Sequence, residues 1–152
     1  MTQQRQKELT LTRLFDAPRE MVFKAFTDPA LLQQWWSPRQ FTNTLAELDL
    51  RPGGAFLVNM LGPDGVVYPN KGIYREIVQS ERLVFTSSAF EDEAGSPLLE
   101  VLNTVTFDEE NGKTKLSLHA VVIRVTPEAE AALAGMKEGW SQSLDKLAEL
   151  LE

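Results

Sequence analysis

The sequence predicts an α+β domain in which a curved antiparallel sheet wraps around one long C-terminal helix. Two observations indicate this fold. Between residues 41 and 125, turn residues divide the chain into strand-length segments, and no helical period is sustained. After Arg124, apolar residues return at spacings of 3 and 4 as far as Leu151, which is the period of an amphipathic helix. This helix is the only predicted element large enough to cover the inner face of the sheet.

One strand and two short helices precede the main sheet. Residues 8–15 alternate leucine with threonine, the pattern of a half-buried strand. Asp16-Ala17-Pro18 then supplies an N-cap candidate and a proline for a helix that runs to about Phe26. Asp28-Pro29 repeats this signal and predicts a second helix, which ends at Ser37-Pro38.

The middle of the chain is predicted to be a β-meander. Its six strands lie at about residues 41–50, 55–61, 71–79, 82–89, 98–108 and 113–125. Asn111-Gly112 is a strong hairpin signal because both residues tolerate positive φ, and Pro52-Gly53-Gly54 also has turn composition. Sequential hairpins predict antiparallel pairing. Pro69 is expected to delay or bulge the start of the third of these strands, because proline has no N–H to donate.

The C-terminal helix is predicted to begin at Thr126-Pro127-Glu128, an N-cap followed by a proline and an acidic residue. Its apolar stripe consists of Ala129, Leu133, Met136, Trp140, Leu144, Leu147 and Leu151. Gly135 and Gly139 lie four residues apart on one flank, although a glycine costs a helix about 1 kcal/mol relative to alanine. Either the sheet approaches the helix closely there, or the glycines leave space for a ligand beside Trp140.

Composition limits the chemistry that this chain can perform. Its 152 residues predict a single domain over residues 1–152, with residues 1–7 as a flexible N-terminal tail. The net charge of −7 offers no electrostatic footprint for nucleic acid. With no cysteine and one histidine, thiolate sites and sites of two imidazoles are excluded, and no metal or other cofactor is expected. Neither a secretory signal nor an apolar run of membrane-spanning length is present, so we expect a cytoplasmic protein without membrane insertion.

Several segments together carry a family resemblance. They are Asp16 to Phe23, Trp35-Trp36-Ser37-Pro38, Asp49 to Gly54, Gly72 to Ile77, Glu81 to Thr86, Val105-Thr106-Phe107, and Gly139-Trp140 with Leu144 and Leu147. In order and spacing, over residues 8–151, the chain resembles the Hsp90-ATPase-activator-homologue family of the START-like (SRPBCC) superfamily. The resemblance implies the helix-grip (START/Bet v 1-like) fold. This superfamily includes lipid carriers, hormone receptors and polyketide cyclases, so function must be argued from the site.

The residues expected to line a cavity between helix and sheet follow from strand alternation and from the helical stripe. They are Trp35, Phe56, Val58, Met60, Tyr74, Glu76, Phe85, Asn103, Val105, Phe107, Met136, Gly139, Trp140 and Leu144. Of Trp35 and Trp36, one is expected to pack in the core and the other to lie at a rim, because helical neighbours point about 100° apart.

Polar residues at inward positions are the candidates for orienting a ligand. Asn103 lies among apolar neighbours, where a buried amide needs hydrogen-bond partners. Glu76, if it points inward beside Tyr74, would be a desolvated carboxylate unless Arg75 or Arg82 pairs with it. The alternative for all three polar residues is a structural hydrogen-bond network. His119 falls on the outward face of its strand, so the cavity is expected to contain neither imidazole nor thiol.

Three functions remain open. The first is a non-enzymatic binding protein that encloses a small, mostly hydrophobic molecule, such as a lipid. The second is a cyclase- or hydrolase-like enzyme in the same cavity, with Glu76 or Tyr74 as general acid or base and Asn103 polarising a carbonyl. The third is a chaperone-interacting protein, which ranks lower because eukaryotic Hsp90 activators carry a further N-terminal domain that 152 residues leave no room for. The scarcity of catalytic side chains favours binding, and a homodimer is left open.

Overall fold

The computed structural model describes residues 8–91, 97–125 and 136–152. Its elements are β1 (Glu8–Phe15), α1 (Arg19–Thr27), α2 (Pro29–Trp35), β2 (Thr42–Leu48), β3 (Ala55–Leu61), β4 (Val67–Val78), β5 (Arg82–Glu91), β6 (Pro97–Glu110), β7 (Lys113–Val125) and α3 (Met136–Leu151). The predicted α+β class, with an antiparallel sheet and a C-terminal helix, is confirmed. The predicted start of that helix, the position of Gly135 and the predicted N-terminal tail lie outside the described residues.

The seven strands form one antiparallel sheet in the order β1-β7-β6-β5-β4-β3-β2. The meander from β2 to β7 follows the chain, and β1 joins its far edge by pairing with β7, from Glu8 opposite Val121 to Phe15 opposite Thr114. Register shifts occur between β2 and β3, between β4 and β5, and between β6 and β7. Such irregularities bend a strand and increase its twist, which helps the sheet to enclose the helices.

Pro69 does not delay its strand, so the expectation for this residue was wrong. Strand β4 begins at Val67, and Pro69 pairs with Asn59 without a register shift. The backbone N–H of Ile73 and the carbonyl of Lys71 both face β5, so the nitrogen of Pro69, two residues earlier, faces the same side. The pairing with β5 begins only at Lys71, and the missing N–H therefore interrupts no ladder.

Helices α1 and α2 cover one half of the sheet's inner face. The ring of Phe107 on β6 makes edge contacts with Phe23 and Phe26 of α1, with both centroid distances 5.4 Å. The ring of Trp35 lies 4.6 Å from that of Phe26, and its indole N–H donates to the carbonyl of Ala25 at 2.9 Å. This half is a packed core in which the buried indole N–H has its acceptor.

Both adjacent tryptophans are buried, so the expectation that one lies at a rim was wrong. Trp35 is fully buried and Trp36 is 8% exposed, and their rings meet at 5.6 Å. The 100° spacing does not apply, because α2 ends at Trp35 and Trp36 has an extended backbone with ψ of 114°. The change of backbone direction turns the second ring toward the interior as well.

The segment that follows Trp36 is tied to α3 by hydrogen bonds. The N–H of Ser37 donates to Ser143 Oγ at 3.2 Å, and Lys146 Nζ donates to the carbonyl of Ser37 at 3.0 Å. Ser37 has a φ of 119°, a region that residues other than glycine rarely adopt. Two residues on, the guanidinium of Arg39 pairs with Glu149 and holds the pKa of that carboxyl below its usual value. These contacts fix the segment against the helix.

Among the described helices, none is long and apolar enough to cross a membrane.

Candidate ligand cavity

A cavity of about 510 Å³ lies at the end of the inner face that α1 and α2 leave uncovered. Its walls come from the segment after α2, from β3 to β6 and from α3. The lining residues are Trp36, Ser37, Pro38, Phe41, Met60, Tyr68, Pro69, Asn70, Ser87, Ser88, Leu99, Val101, Asn103, Met136, Gly139, Trp140 and Ser143. The volume falls within the range of about 300–1,000 Å³ that small-molecule sites occupy.

The structure brings only some of the sequence-predicted site residues to this cavity. Those that line it are Met60, Asn103, Met136, Gly139 and Trp140. A larger group lies in the packed core instead: Trp35, Phe56, Val58, Tyr74, Phe85, Val105, Phe107 and Leu144. Alternation identifies the inward face of a strand but not which half of that face the helices cover, and this distinction separates the two groups.

Glu76 lies outside the cavity, so its expected inward position was wrong. The register of β4 against β5 shifts between Tyr74 and Glu76, which leaves Arg75 as an extra residue. After this extra residue, the odd-numbered side chains of β4 point inward instead of the even-numbered ones. Ile77 therefore packs against the core in place of Glu76. The Glu76 carboxylate lies 2.9 Å from Arg82 Nε, and the two side chains are 48% and 50% exposed. The catalytic role considered for Glu76 is thereby excluded.

The wall residues that sequence reasoning missed fall into three groups. Ser87, Leu99 and Val101 share the inward parity of Phe85 and Asn103, so the same alternation could have found them. Tyr68 and Asn70 share the parity of Tyr74 on β4, so alternation could have found them too, and Pro69 lies between them. A second group comes from the segment after α2, where no periodic pattern gives a side chain's direction; its members are Trp36, Ser37, Pro38 and Phe41. Ser88 and Ser143, polar residues at the edges of the wall, carried no signal either.

Aromatic rings form much of the cavity wall. The rings of Trp36 and Trp140 meet edge to face, with centroids 5.4 Å apart and planes at 77°. Phe41 and Tyr68 make a similar contact at 5.9 Å. The hydroxyl of Tyr68 donates to Asp64 at 2.5 Å, and this bond raises the pKa of the phenol and lowers that of the carboxyl. This part of the wall is thus a preformed apolar surface that contains two pairs of rings in contact.

Asn103 is the most deeply buried polar residue of the wall, with 1% of its surface exposed. Its Nδ2 donates to Ser87 Oγ at 2.9 Å and to the carbonyl of Phe85 at 3.3 Å. Because a carbonyl only accepts, these contacts fix which end of the amide carries the nitrogen. The Oδ1 atom is buried and has no donor among the described residues.

Gly139 leaves room beside Trp140. The alternative explanation for a glycine at this position of the helix was a close approach of the sheet. Among the described residues, a Cβ atom at Gly139 would have one neighbour within 4 Å, the Cγ of Pro38 at 3.5 Å, which is an ordinary van der Waals distance. The neighbour belongs to the segment after α2 and not to the sheet. Close approach of the sheet therefore does not explain this glycine, and its open side faces the cavity wall.

His119 points away from the cavity, as the alternation of β7 indicated. The side chain is 48% exposed, and its Nε2 lies 2.6 Å from Glu8 Oε1. Within residues 8–91, 97–125 and 136–152, no cluster of three or more histidine, cysteine or acidic side chains is placed to hold a metal ion.

Tyr74 is expected to make the protein sensitive to alkaline pH. Burial raises the pKa of this phenol above its ordinary value of 10.0, so the folded protein holds the proton to a higher pH than the unfolded chain. The resulting stabilisation is complete below about pH 10 and is lost as the pH rises further. Between about pH 10 and pH 11, urea titrations should show the free energy of unfolding falling by up to about 1.4 kcal/mol more in the wild type than in Tyr74→Phe. Equal losses in the two proteins would contradict this account.

Comparison with known proteins identifies the family. Residues 16–152 match the family model described as Activator of Hsp90 ATPase homolog 1-like protein. Protein CV1439 from Chromobacterium violaceum is 32% identical, with 95% of this chain and 96% of that chain covered and a TM-score of 0.74. Protein Ms6760 from Mycobacterium smegmatis is 29% identical, with coverages of 95% and 90% and a TM-score of 0.79. The AHSA1 (SPO3351) protein from Silicibacter pomeroyi is 27% identical, with coverages of 95% and 97% and a TM-score of 0.76.

No curated protein matches the chain. These structures share the α+β fold of this chain over 95% of its length, and the family model matches all but its first 15 residues. The chain therefore belongs to the family of Activator of Hsp90 ATPase homolog 1-like proteins.

Proposed function

We propose that this protein binds a small, mostly apolar molecule in the cavity between α3 and the sheet. The observation that carries the proposal is the cavity itself, about 510 Å³ in volume, with a wall of aromatic and aliphatic side chains and a few amides and hydroxyls. Pockets that bind small molecules have this composition, in which apolar surface supplies affinity and a few polar groups fix orientation.

The polar groups of the wall favour binding over acid–base catalysis. Among the described lining residues, none is an aspartate, glutamate, histidine, cysteine, lysine or arginine. The one phenol in the wall, that of Tyr68, is hydrogen-bonded to Asp64 and has a raised pKa, which makes it a poor proton donor or acceptor near neutral pH. The remaining groups hydrogen-bond without changing charge. An enclosing carrier or receptor uses such groups directly, whereas a hydrolase or cyclase needs a proton acceptor.

Native mass spectrometry and thermal unfolding test this proposal. Protein purified under gentle conditions should retain a mass adduct that is lost on denaturation. After refolding without ligand, a panel of lipids, sterols, aromatics and polyketides should contain compounds that raise the melting temperature. A ligand present at a hundred times its Kd adds about 2.7 kcal/mol to the free energy of unfolding. Absence of an adduct together with a silent panel would refute ligand binding.

A further inference from the structure

We infer that the ligand is an uncharged molecule with a hydroxyl or amide N–H group, and that this group meets Asn103 and Ser87 on the sheet. The inference rests on the proposed function and names the chemical class that this site accepts. It excludes fatty acids and other carboxylates, which an apolar cavity alone would admit.

A row of uncharged polar side chains crosses the sheet beside the cavity. Asn70 on β4 pairs with Val58, whose side chain is buried, and so shares its inward face. Ser87 on β5 and Asn103 on β6 are hydrogen-bonded to each other at 2.9 Å. All three residues line the cavity. The sheet side of the site therefore carries a polar strip beside the apolar side chains of Met60, Leu99 and Val101. Trp36 and Trp140 make the opposite side aromatic.

This polar row has unused hydrogen-bonding capacity. The Oδ1 atoms of Asn70 and Asn103 are buried without a donor from the described residues. Ser87 Oγ accepts from Asn103 Nδ2, and no acceptor from residues 8–91, 97–125 or 136–152 takes the hydroxyl proton of Ser87, so this proton can be donated to a ligand. An unpaired buried acceptor destabilises the protein, so a ligand group that donates to it recovers part of that loss.

A hydroxyl group is the best match to this pair of side chains. It donates its proton to Asn103 Oδ1 and accepts the proton of Ser87 Oγ, and an amide with both N–H and C=O does the same. An ionised carboxylate has only hydrogen-bond acceptors. It can accept the proton of Ser87 Oγ, but it has no proton to donate to Asn103 Oδ1, and the two oxygens repel each other.

Electrostatics point in the same direction. A charge is stable in an apolar site only when an opposite charge pairs with it, and the described lining residues carry none. The formal net charge of −7 adds a general repulsion for anions. The aromatic wall then packs against the uncharged carbon skeleton of the ligand.

Three probes with one skeleton test the inference: naphthalene, 2-naphthol and 2-naphthoate. Their binding to the whole protein is compared at neutral pH by ligand-observed NMR. In the wild type, we expect 2-naphthol to bind about two- to tenfold more tightly than naphthalene, the effect of one or two hydrogen bonds. We expect 2-naphthoate to bind more weakly than either.

Two variants and a matched control locate the effect. Asn103→Leu and Ser87→Ala should each reduce the preference for 2-naphthol over naphthalene while naphthalene binding is retained. Ser117→Ala makes the same change on β7, on the outer face of the sheet, which points away from the cavity. It should leave the preference for 2-naphthol unchanged. If Asn103→Leu does not fold, as circular dichroism will show, Ser87→Ala decides the matter.

The outcomes separate the inference from the proposed function. Equal binding of naphthalene and 2-naphthol, or tightest binding of 2-naphthoate, overturns the inference and leaves ligand binding standing. A preference that survives both variants also overturns it. Binding of none of the three probes overturns the inference; together with an absent adduct and a silent thermal panel, it overturns ligand binding in the cavity as well.

Discussion

Replacing Phe107 with alanine is expected to lower the free energy of unfolding by about 3–5 kcal/mol, a large part of the stability of a domain of this size. The Phe107 side chain is 1% exposed, and its ring contacts the rings of both Phe23 and Phe26 at 5.4 Å. Truncation removes the link between β6 and α1 and leaves a cavity that neighbouring rigid rings cannot fill. Denaturation in guanidinium chloride, followed by circular dichroism, measures the loss.

Phe41→Ala provides the matched control for this prediction. Phe41 is only partly buried and makes one ring contact, with Tyr68 at 5.9 Å, at the cavity wall. Its removal should cost clearly less than the removal of Phe107, because less apolar area returns to water. Equal losses for the two variants would show that the half of the sheet beneath α1 and α2 is not the main core.

The order of the elements and most of their bounds were predictable because local chemistry determines them. Asn111 and Gly112 adopt φ values of 53° and 79°, the conformation for which their hairpin signal is known. Asp28 caps α2 by accepting from the N–H of Ala30, just before the proline that opens this helix. Such signals act within a few residues and need no tertiary context.

The location of the cavity was not predictable in the same way, because it depends on contacts between distant segments. Val105 and Asn103 have the same parity on β6, yet Val105 lies in the packed core and Asn103 lines the cavity. What separates them is the reach of α1 and α2 over the sheet. Glu76 shows a second limit. Arg75 is an extra residue in the pairing of β4 with β5, and beyond it the side chains that alternation predicts to point inward point outward. Whether a strand contains such an extra residue depends on its partner strand and not on its own alternation.

Replacing Gly139 with leucine is expected to abolish most ligand binding while the fold is retained. The open side of Gly139 faces Pro38, at 3.5 Å from a Cβ, and the rest of a leucine side chain would extend into space that the cavity occupies. Methylenes forced into occupied space cost about 1–3 kcal/mol, which corresponds to about a five- to 150-fold loss of affinity for a ligand that fills the site. Affinity is measured by titration with a compound that the thermal panel identifies.

Gly139→Ala separates the effect of space from that of helix propensity. Its Cβ meets Pro38 at an ordinary distance, so ligand binding should be kept, while the free energy of unfolding rises by up to about 1 kcal/mol because alanine favours the helix. Gly139→Leu should gain part of the same propensity and lose the ligand. If the leucine variant unfolds, the glycine serves packing of α3 against the segment after α2. If it binds the ligand as tightly as the wild type, the ligand does not occupy the space beside Trp140, and the binding site must lie elsewhere.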